Sequence, residues 1–334
     1  MKFTSLAEIA GLAETLPVIN AEAVAAASAR QNSLTKPPGS LGRLEELAGF
    51  MAGWRGTARP TIELAQAVIF AGNHGICAQG VNPFPQEVTA QMVGNFMAGG
   101  AAINQLCRAN GAELSVIALE LDRPTADFTT APAMTEADCL AALQIGWDAV
   151  DRRADVLILG EMGIGNSTVA AAMAAALFGG AVADWVGAGT GSDAEGIKRK
   201  IAAIEAGLAR HQGLSAMGVL AALGGREQAA ICGAVLAARA ERIPVILDGF
   251  ICTAAASALY GADARLLDHC LVGHCSAEPG HRKLLAKLNK RAVLEFDMRL
   301  GEGSGAALAL GILRSALAVH NGMATFGEAG VSEA

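Results

Sequence analysis

The sequence predicts an α/β fold with a parallel sheet. From residue 67 onward, short β-rich apolar runs alternate with long Ala-rich segments. The apolar runs are nearly continuous, which is typical of strands that are covered on both faces. Strands that alternate with helical segments in this way are the pattern of an α/β domain.

The predicted elements begin with helices. Residues 6–30 are Ala-rich and helix-prone, and a break at 36–39 precedes a second helical pattern with Leu41, Leu44, Leu47 and Ala48 on one face. These two segments are expected to form a small helical element. The predicted strands follow at 68–70, 114–119, 156–159, 243–247 and 293–296, and the last predicted helix covers 306–320.

Length and composition bound the class of protein. A chain of 334 residues predicts about two domains and is long enough to bury a large core without disulfide or metal staples. Hydrophobic residues make up 52% and charged residues 17%, which excludes a disordered chain. The net charge is −7 and no Lys/Arg-rich run stands out, so nucleic acid is not an expected partner.

A membrane span is also not expected. The longest charge-free stretch, 162–183, is interrupted by Gly and polar residues and predicts a turn, a buried helix and a second turn. The N-terminus lacks the apolar region of a secretory signal, which predicts a cytoplasmic protein. Seven scattered cysteines fit reduced, buried thiols better than a disulfide framework.

The residues that directly follow the predicted strands are rich in Gly and polar side chains. Parallel sheets bind ligands at the carboxyl ends of their strands, so these segments are the candidate site. The segments are Gly72-Asn73-His74-Gly75, Gly160-Glu161-Met162-Gly163-Ile164-Gly165-Asn166-Ser167-Thr168, Asp248-Gly249-Phe250 and Gly301-Glu302-Gly303-Ser304-Gly305.

The 163–168 segment reads as a phosphate cradle. Glycines allow close approach of the backbone, and the free amides at a helix N-terminus favour an anion. The segment is neither a Walker motif nor a dinucleotide fingerprint, and tight packing explains such a turn equally well. A second glycine-rich loop at 187–191 gives weaker evidence of the same kind.

Glu302 stands between two glycines at the start of a helix and is the candidate reactive group. The helix N-terminus favours its carboxylate form, whereas an apolar pocket would make it a stronger base. The alternative is an exposed Glu that is stabilised by the helix dipole.

Segment 268–281 contains His and Cys residues that invite a zinc interpretation. Leu271 and Val272 suggest a strand, in which residues four apart are about 13 Å apart and cannot share one zinc. A helical segment would keep the zinc interpretation open. Core packing is the expectation for Phe84, Met92, Phe96 and Met97. His74 is expected to be a loop histidine with its hydrogen bonds satisfied, and its place after a strand keeps a ligand role open.

Taken together, the motifs resemble the nicotinate-nucleotide:dimethylbenzimidazole phosphoribosyltransferase family of cobalamin assembly, nearly end to end. The motifs that carry the resemblance are Leu34-Thr35-Lys36-Pro37-Pro38-Gly39-Ser40-Leu41-Gly42-Arg43-Leu44-Glu45, Ala71 to Gly75 with Pro85, Val88 and Thr89, the 160–168 segment, Gly224-Gly225, 243–250, Ser276-Ala277-Glu278-Pro279-Gly280-His281, and 300–309.

The resemblance implies an activity and a fold. Phosphoribose would move from nicotinate mononucleotide to dimethylbenzimidazole with inversion, without a metal or redox cofactor. The implied architecture is a doubly wound sheet with helices on both faces at 61–305, a small helical domain from 1–60 with 306–334, and a homodimer that completes each site.

The resemblance also implies roles for individual residues. Glu302 would be the general base, worth about 10²–10⁴-fold in rate. The remaining residues would bind substrate: Gly163, Lys200 and Ser276 at the phosphate, with Gly189, Thr190 and Gly191 nearby; Glu161 and Asp248 at the ribose or the bases; and Phe84, Met92 and Leu300 around the benzimidazole. From the residues alone, Lys200 fits a solvated face of the basic 198–200 run.

Two positions depart from the family pattern, and two rival functions are weighed. Asn73 stands where Asp is more common, and Ala188 stands where a larger or charged residue is common, so the accepted base is in question more than the reaction. A non-catalytic nucleotide sensor on the same fold is one rival, against which Glu302 and Glu161 count. An NAD-dependent oxidoreductase is disfavoured because the full G-x-G-x-x-G fingerprint is missing.

Overall fold

A parallel sheet forms the centre of the molecule. The computed structural model describes residues 1–332, and within them six strands are ordered β2-β1-β3-β4-β5-β6. The strands are β1 Ala65–Ala71, β2 Ala112–Ala118, β3 Val156–Met162, β4 Val245–Leu247, β5 Cys270–His274 and β6 Ala292–Leu294. Because β2 lies on one side of β1 and the later strands on the other, the sheet is doubly wound. The predicted fold class is confirmed.

Helices connect these strands and flank the sheet. They are α1 Ala21–Ser33, α2 Arg43–Arg55, α3 Glu87–Ala98, α4 Ala102–Asn110, α5 Glu136–Asp148, α6 Asn166–Phe178, α7 Ala194–Arg210, α8 Ala216–Leu223, α9 Arg226–Ala240, α10 Phe250–Ala262, α11 Pro279–Lys287, α12 Ser304–Gly322 and α13 Phe326–Ala329. Short 3-10 helices lie at Leu6–Glu14, Gly75–Gln79, Val182–Asp184 and Ala264–Leu267. The predicted first helix is thus a 3-10 segment followed by α1.

The sheet separates two apolar layers. Val68, Phe70 and Leu159 point to the layer formed with α5, α6, α8, α9 and α10. Ile69 and Ile158 point to the opposite layer, which contains buried residues of α2, α4 and α12. Alternate side chains of a strand point to opposite faces, so β1 and β3 are apolar at most positions, with Gln66 and Glu161 as the exceptions. The expectation of two-sided burial is wrong for β2 and β6, which lie at the sheet edges and are partly exposed.

The two ends of the chain lie together. Leu34 forms an antiparallel bridge with Thr325, and the Arg30 guanidinium donates to the carbonyl oxygen of His320 at 2.7 Å. Helix α12 also packs on the sheet, where Leu310 shares a core layer with Ile246. The division into 1–60 with 306–334 and 61–305 stays a prediction, and residues 333–334 lie outside the described part of the chain. No helix within residues 1–332 has the length and apolar character of a membrane span.

Helices α5 and α9 cross at glycines. A Cβ on Gly233 would overlap the carbonyl oxygen of Leu143, and one on Gly146 would overlap that of Ala230. We expect Gly233→Ala to lower the free energy of unfolding by about 1–3 kcal/mol, because the helices must separate. Gly49→Ala is the matched control: its Cβ meets nothing within 4 Å, and better helix propensity should stabilise by about 0.5–1 kcal/mol. Urea unfolding distinguishes the two, and equal stabilities would contradict the crossing argument.

Candidate active site

A cavity of about 400 Å³ opens at the carboxyl ends of the strands. It lies beside the switch point of the sheet, where the chain continues from β1 to β2 on one side and from β3 to β4 on the other. Eleven of the residues expected at a site line it: Phe84, Met92, Glu161, Gly163, Gly189, Thr190, Lys200, Asp248, Ser276, Leu300 and Glu302. Gly191 does not line it, and a Cβ there would meet nothing within 4 Å. The sequence therefore located the cavity walls, while the roles of these residues stay predictions.

Glu302 is buried in a strained turn. It has a φ of 66° between Gly301 at 87° and Gly303 at 89°, a left-handed conformation that is costly for a residue with a Cβ. Its side chain is 6% exposed, and its Oε2 has no hydrogen-bond partner among the described residues. The alternative of an exposed Glu at a helix start is wrong. The turn packs so closely on β3 that a Cβ on Gly160 would lie 2.5 Å from the Glu302 carbonyl oxygen.

Burial decides between the two expected effects on Glu302. Burial raises the pKa of its carboxyl group, the charge of nearby Asp248 raises the pKa further, and the backbone N–H of Ile103 lowers it. Burial thus outweighs the hydrogen bond from Ile103, and the carboxylate is a stronger base than an exposed Glu.

Asp248 holds this turn. Its Oδ1 accepts a hydrogen bond from the backbone N–H of Ala306 at 2.9 Å, and its Oδ2 accepts one from Gly303 at 3.2 Å. The His274 Nε2 lies 3.7 Å from Oδ1. Burial raises the pKa of Asp248, while His274 and the backbone N–H groups lower it. Asp248 therefore fixes the start of α12 and with it the turn that carries Glu302.

Glu161 is a second buried carboxyl group at the end of β3. Burial and the charges of Asp248 and Glu227 raise its pKa to about 8, although the amide of Asn166 donates a hydrogen bond to its Oε2. Glu302 adds a smaller effect in the same direction. At neutral pH Glu161 is therefore mostly protonated and carries an O–H donor beside the cavity.

The raised pKa of Glu161 predicts a pH-dependent stability. Between pH 4.5, the ordinary pKa of Glu, and about 8, the folded state binds more protons than the unfolded state. The contribution of protonated Glu161 to the free energy of unfolding is therefore complete below pH 4.5 and is lost as the pH rises through 8. We expect Glu161→Gln to gain stability relative to wild type by up to about 1.4 kcal/mol per pH unit across this range. Urea unfolding at pH 5, 6, 7 and 8 measures the difference, and a constant difference would contradict the assignment.

The 163–168 segment and Lys200 form the polar end of the cavity. Helix α6 begins at Asn166 after Gly165, whose φ is 92°. Lys200 is 3% exposed, and its Nζ donates to Ser167 Oγ at 3.3 Å and to the carbonyl oxygen of Gly187 at 3.2 Å. Burial lowers the pKa of its ammonium group, and the charge of Glu278 raises it. The solvated-face alternative for Lys200 is wrong. It describes Lys198, which is exposed and paired with Glu195.

Residues that sequence reasoning did not assign hold the 187–191 loop. The backbone N–H of Gly189 donates to Glu278 Oε1 at 2.9 Å, and the Arg299 guanidinium donates to the Gly189 carbonyl oxygen at 2.7 Å. Asn166, Ser167 and His274 also line the cavity. The sequence signal for Asn166, Ser167 and Glu278 was their place in the motifs that carry the resemblance. His274 lies in the His/Cys segment, and Arg299 directly precedes Leu300.

Apolar side chains form the open wall of the cavity. Phe84 and Leu300 are 46% and 50% exposed, and Met92 is half-buried beside them. Core packing was the expectation for a group of four residues, and it is correct for Phe96, which is buried. It is wrong for Phe84 and for Met97, which is exposed.

The His/Cys segment is split by a strand. The strand expected at Leu271 and Val272 is β5, which places His269 and His274 at opposite ends. The His269 ring nitrogen lies 2.9 Å from the carbonyl oxygen of Val235, and His274 lines the cavity. Within residues 1–332 no three His, Cys, Asp or Glu residues are grouped to hold a metal ion.

Comparison with known proteins decides the family. A family model described as phosphoribosyltransferase matches residues 16–331. A Rhodobacter capsulatus protein named nicotinate-nucleotide–dimethylbenzimidazole phosphoribosyltransferase is 68% identical over 332 residues, 99% of both chains. The chain belongs to the dimethylbenzimidazole phosphoribosyltransferase family. The resemblance found in the sequence motifs is confirmed.

Other members of the dimethylbenzimidazole phosphoribosyltransferase family agree over the whole length. A Novosphingobium aromaticivorans protein of the same name is 59% identical over 334 residues, 99% of both chains. The crystal structure of CobT from Thermus thermophilus superposes with a TM-score of 0.88 at 42% identity and covers 94% of this chain and all of that one. The doubly wound fold is thus a property shared with a solved member of the family.

Proposed function

We propose that this chain transfers phosphoribose from nicotinate mononucleotide to dimethylbenzimidazole or a related base, releasing nicotinate and forming α-ribazole phosphate in cobalamin biosynthesis. The observation that carries the proposal is the buried Glu302 carboxylate, which has an unpartnered oxygen beside the cavity. The identity of the substrates follows from the family to which the chain belongs. A sensor that only binds nucleotide has no need for such a base.

The nucleotide phosphate binds at the polar end. The amides at the start of α6 donate to it, the Lys200 ammonium supplies a positive charge, and Ser276 adds a hydroxyl. Gly163 permits the close approach, and Gly189 and Thr190 lie on the facing loop. The benzimidazole ring lies against Phe84, Met92 and Leu300, whose apolar surfaces suit a flat aromatic ligand.

The transfer is a nucleophilic substitution at the anomeric carbon. One benzimidazole nitrogen forms the new bond to that carbon while the bond to the nicotinate nitrogen breaks, and its electron pair returns to the pyridine ring. Glu302 takes the proton from the other benzimidazole nitrogen, so that no azolium cation accumulates. Attack from the face opposite the leaving nicotinate gives the inverted configuration. Glu161, protonated at neutral pH, donates a hydrogen bond to the bound substrate.

The direct test is to incubate the purified chain with nicotinate mononucleotide and dimethylbenzimidazole and to measure nicotinate release and product mass. The expected product is α-ribazole phosphate. Binding of the nucleotide with no transfer to this base or to related benzimidazoles and purines would overturn the proposal in favour of a sensor. Comparing those bases between wild type and Asn73→Asp shows whether Asn73 alters base choice.

We also propose a homodimer in the cytoplasm. Phe84 and Leu300 at the cavity and Phe296, a few residues before Leu300, are large exposed apolar side chains, and such surfaces are typical of protein contacts. All seven cysteines are free, which fits a reducing compartment. Light scattering coupled to size-exclusion chromatography is expected to give twice the 33.9 kDa chain mass, and a monomer would contradict the dimer.

A further inference from the structure

Behind the cavity, a histidine and a glutamate form a fully buried pair that the proposed mechanism does not use. His74 follows β1 and Glu227 lies in the first turn of α9, and both side chains are 0% exposed. Their Nε2 and Oε1 atoms are 3.0 Å apart. Neither ring nitrogen of His74 and neither carboxylate oxygen of Glu227 has a partner of regular hydrogen-bond geometry among the described residues, so the expectation that the hydrogen bonds of His74 are satisfied is wrong. Burying such a pair is costly and adds little net stability, so its presence points to a role beyond stability.

Glycines from three loops enclose this pair. A Cβ on Gly163 would lie 2.9 Å from His74 Nε2, and one on Gly72 would lie 2.6 Å from Glu227 Oε2. A Cβ on Gly225 would overlap the His74 ring. The pair therefore lies where the loop after β1, the loop after β3 and the start of α9 meet, and the 163–165 loop rests directly on it.

We propose that His74 and Glu227 form a positioning pair that holds the 163–165 loop in its nucleotide-binding geometry. The inference rests on the proposed function, because it takes this loop as the phosphate site. Neither residue lines the cavity, so both act through the loop and not by touching substrate.

The test compares nucleotide binding with stability. We expect His74→Ala and Glu227→Ala each to raise the Kd for nicotinate mononucleotide about tenfold by calorimetry. The double variant should be no worse than either single variant, because the pair acts as a unit. We expect Glu227→Gln, which keeps the shape of the side chain, to bind nearly normally. If the Ala variants do not fold, His74→Asn carries the test, and the same rise in Kd is expected.

His269→Ala is the matched control. Its imidazole is equally buried but lies at the other end of the sheet, beside Trp54. We expect this variant to lose stability and to keep the wild-type Kd. His74→Ala and Glu227→Ala variants that lose stability like His269→Ala and keep the wild-type Kd would overturn the positioning pair.

Failure of the proposed function gives a different result. A wild-type chain that binds nicotinate mononucleotide without transferring phosphoribose overturns the reaction, while the Kd values still decide on the pair. If wild type does not bind the nucleotide, the phosphate-loop assignment and the positioning pair both fail.

Discussion

Glu302→Gln is expected to lower kcat by about 10²–10⁴-fold while leaving the Kd for nicotinate mononucleotide nearly unchanged. The amide fills the same space but cannot accept the proton that leaves the benzimidazole. Burial raises the pKa of the wild-type carboxyl group, so the variant loses a base that is stronger than an exposed glutamate. Single-turnover measurement of nicotinate release isolates the chemical step from product release.

An exposed glutamate provides the control for this variant. Glu295 is exposed, pairs with Arg282 and does not line the cavity, so Glu295→Gln should keep the wild-type kcat. A Glu302→Gln variant with kcat close to wild type would show that another group accepts the proton. A large rise in the nucleotide Kd would show instead that Glu302 binds substrate.

The central sheet was predictable because its signal is local. Strands β1, β3 and β4 are covered on both faces and read as apolar runs, and the ligand-binding edge follows from the direction of parallel strands. Strand β5 was indicated only by Leu271 and Val272, because its other positions are Cys, Gly and His. Such residues do not distinguish a strand from a loop.

The environments of the charged residues were less predictable. The burial of Glu302 depends on contacts with Gly160 and Asp248, which are distant in sequence. The closeness of His74 and Glu227 depends on the meeting of three separate loops. No spacing in the sequence encodes either arrangement. Local patterns therefore located the cavity, and tertiary packing set the chemistry of its groups.

Lys200 is an instructive case because a signal was present. On α7 it shares a face with Gly196, Ala203, Ile204 and Gly207, all of them buried and spaced as one side of a helix. The basic 198–200 run hid this periodicity, since Lys198 faces solvent on the same helix. Helical spacing predicts a buried ammonium at this position where composition predicts an exposed one.

We expect Lys200→Met to weaken binding of nicotinate mononucleotide by about 2–5 kcal/mol, or roughly 30-fold or more. Met retains the apolar stem of the side chain, so the loss isolates the charge. Lys198→Met is the matched control: it removes an equal charge from the same helix at an exposed position and should change the Kd little. Calorimetric titration of both variants measures the difference. Because salt screens the exposed charge much more than the buried one, the effect of Lys200→Met on the Kd should persist at 0.5 M salt. Equal Kd values for the two variants would remove Lys200 from the phosphate site.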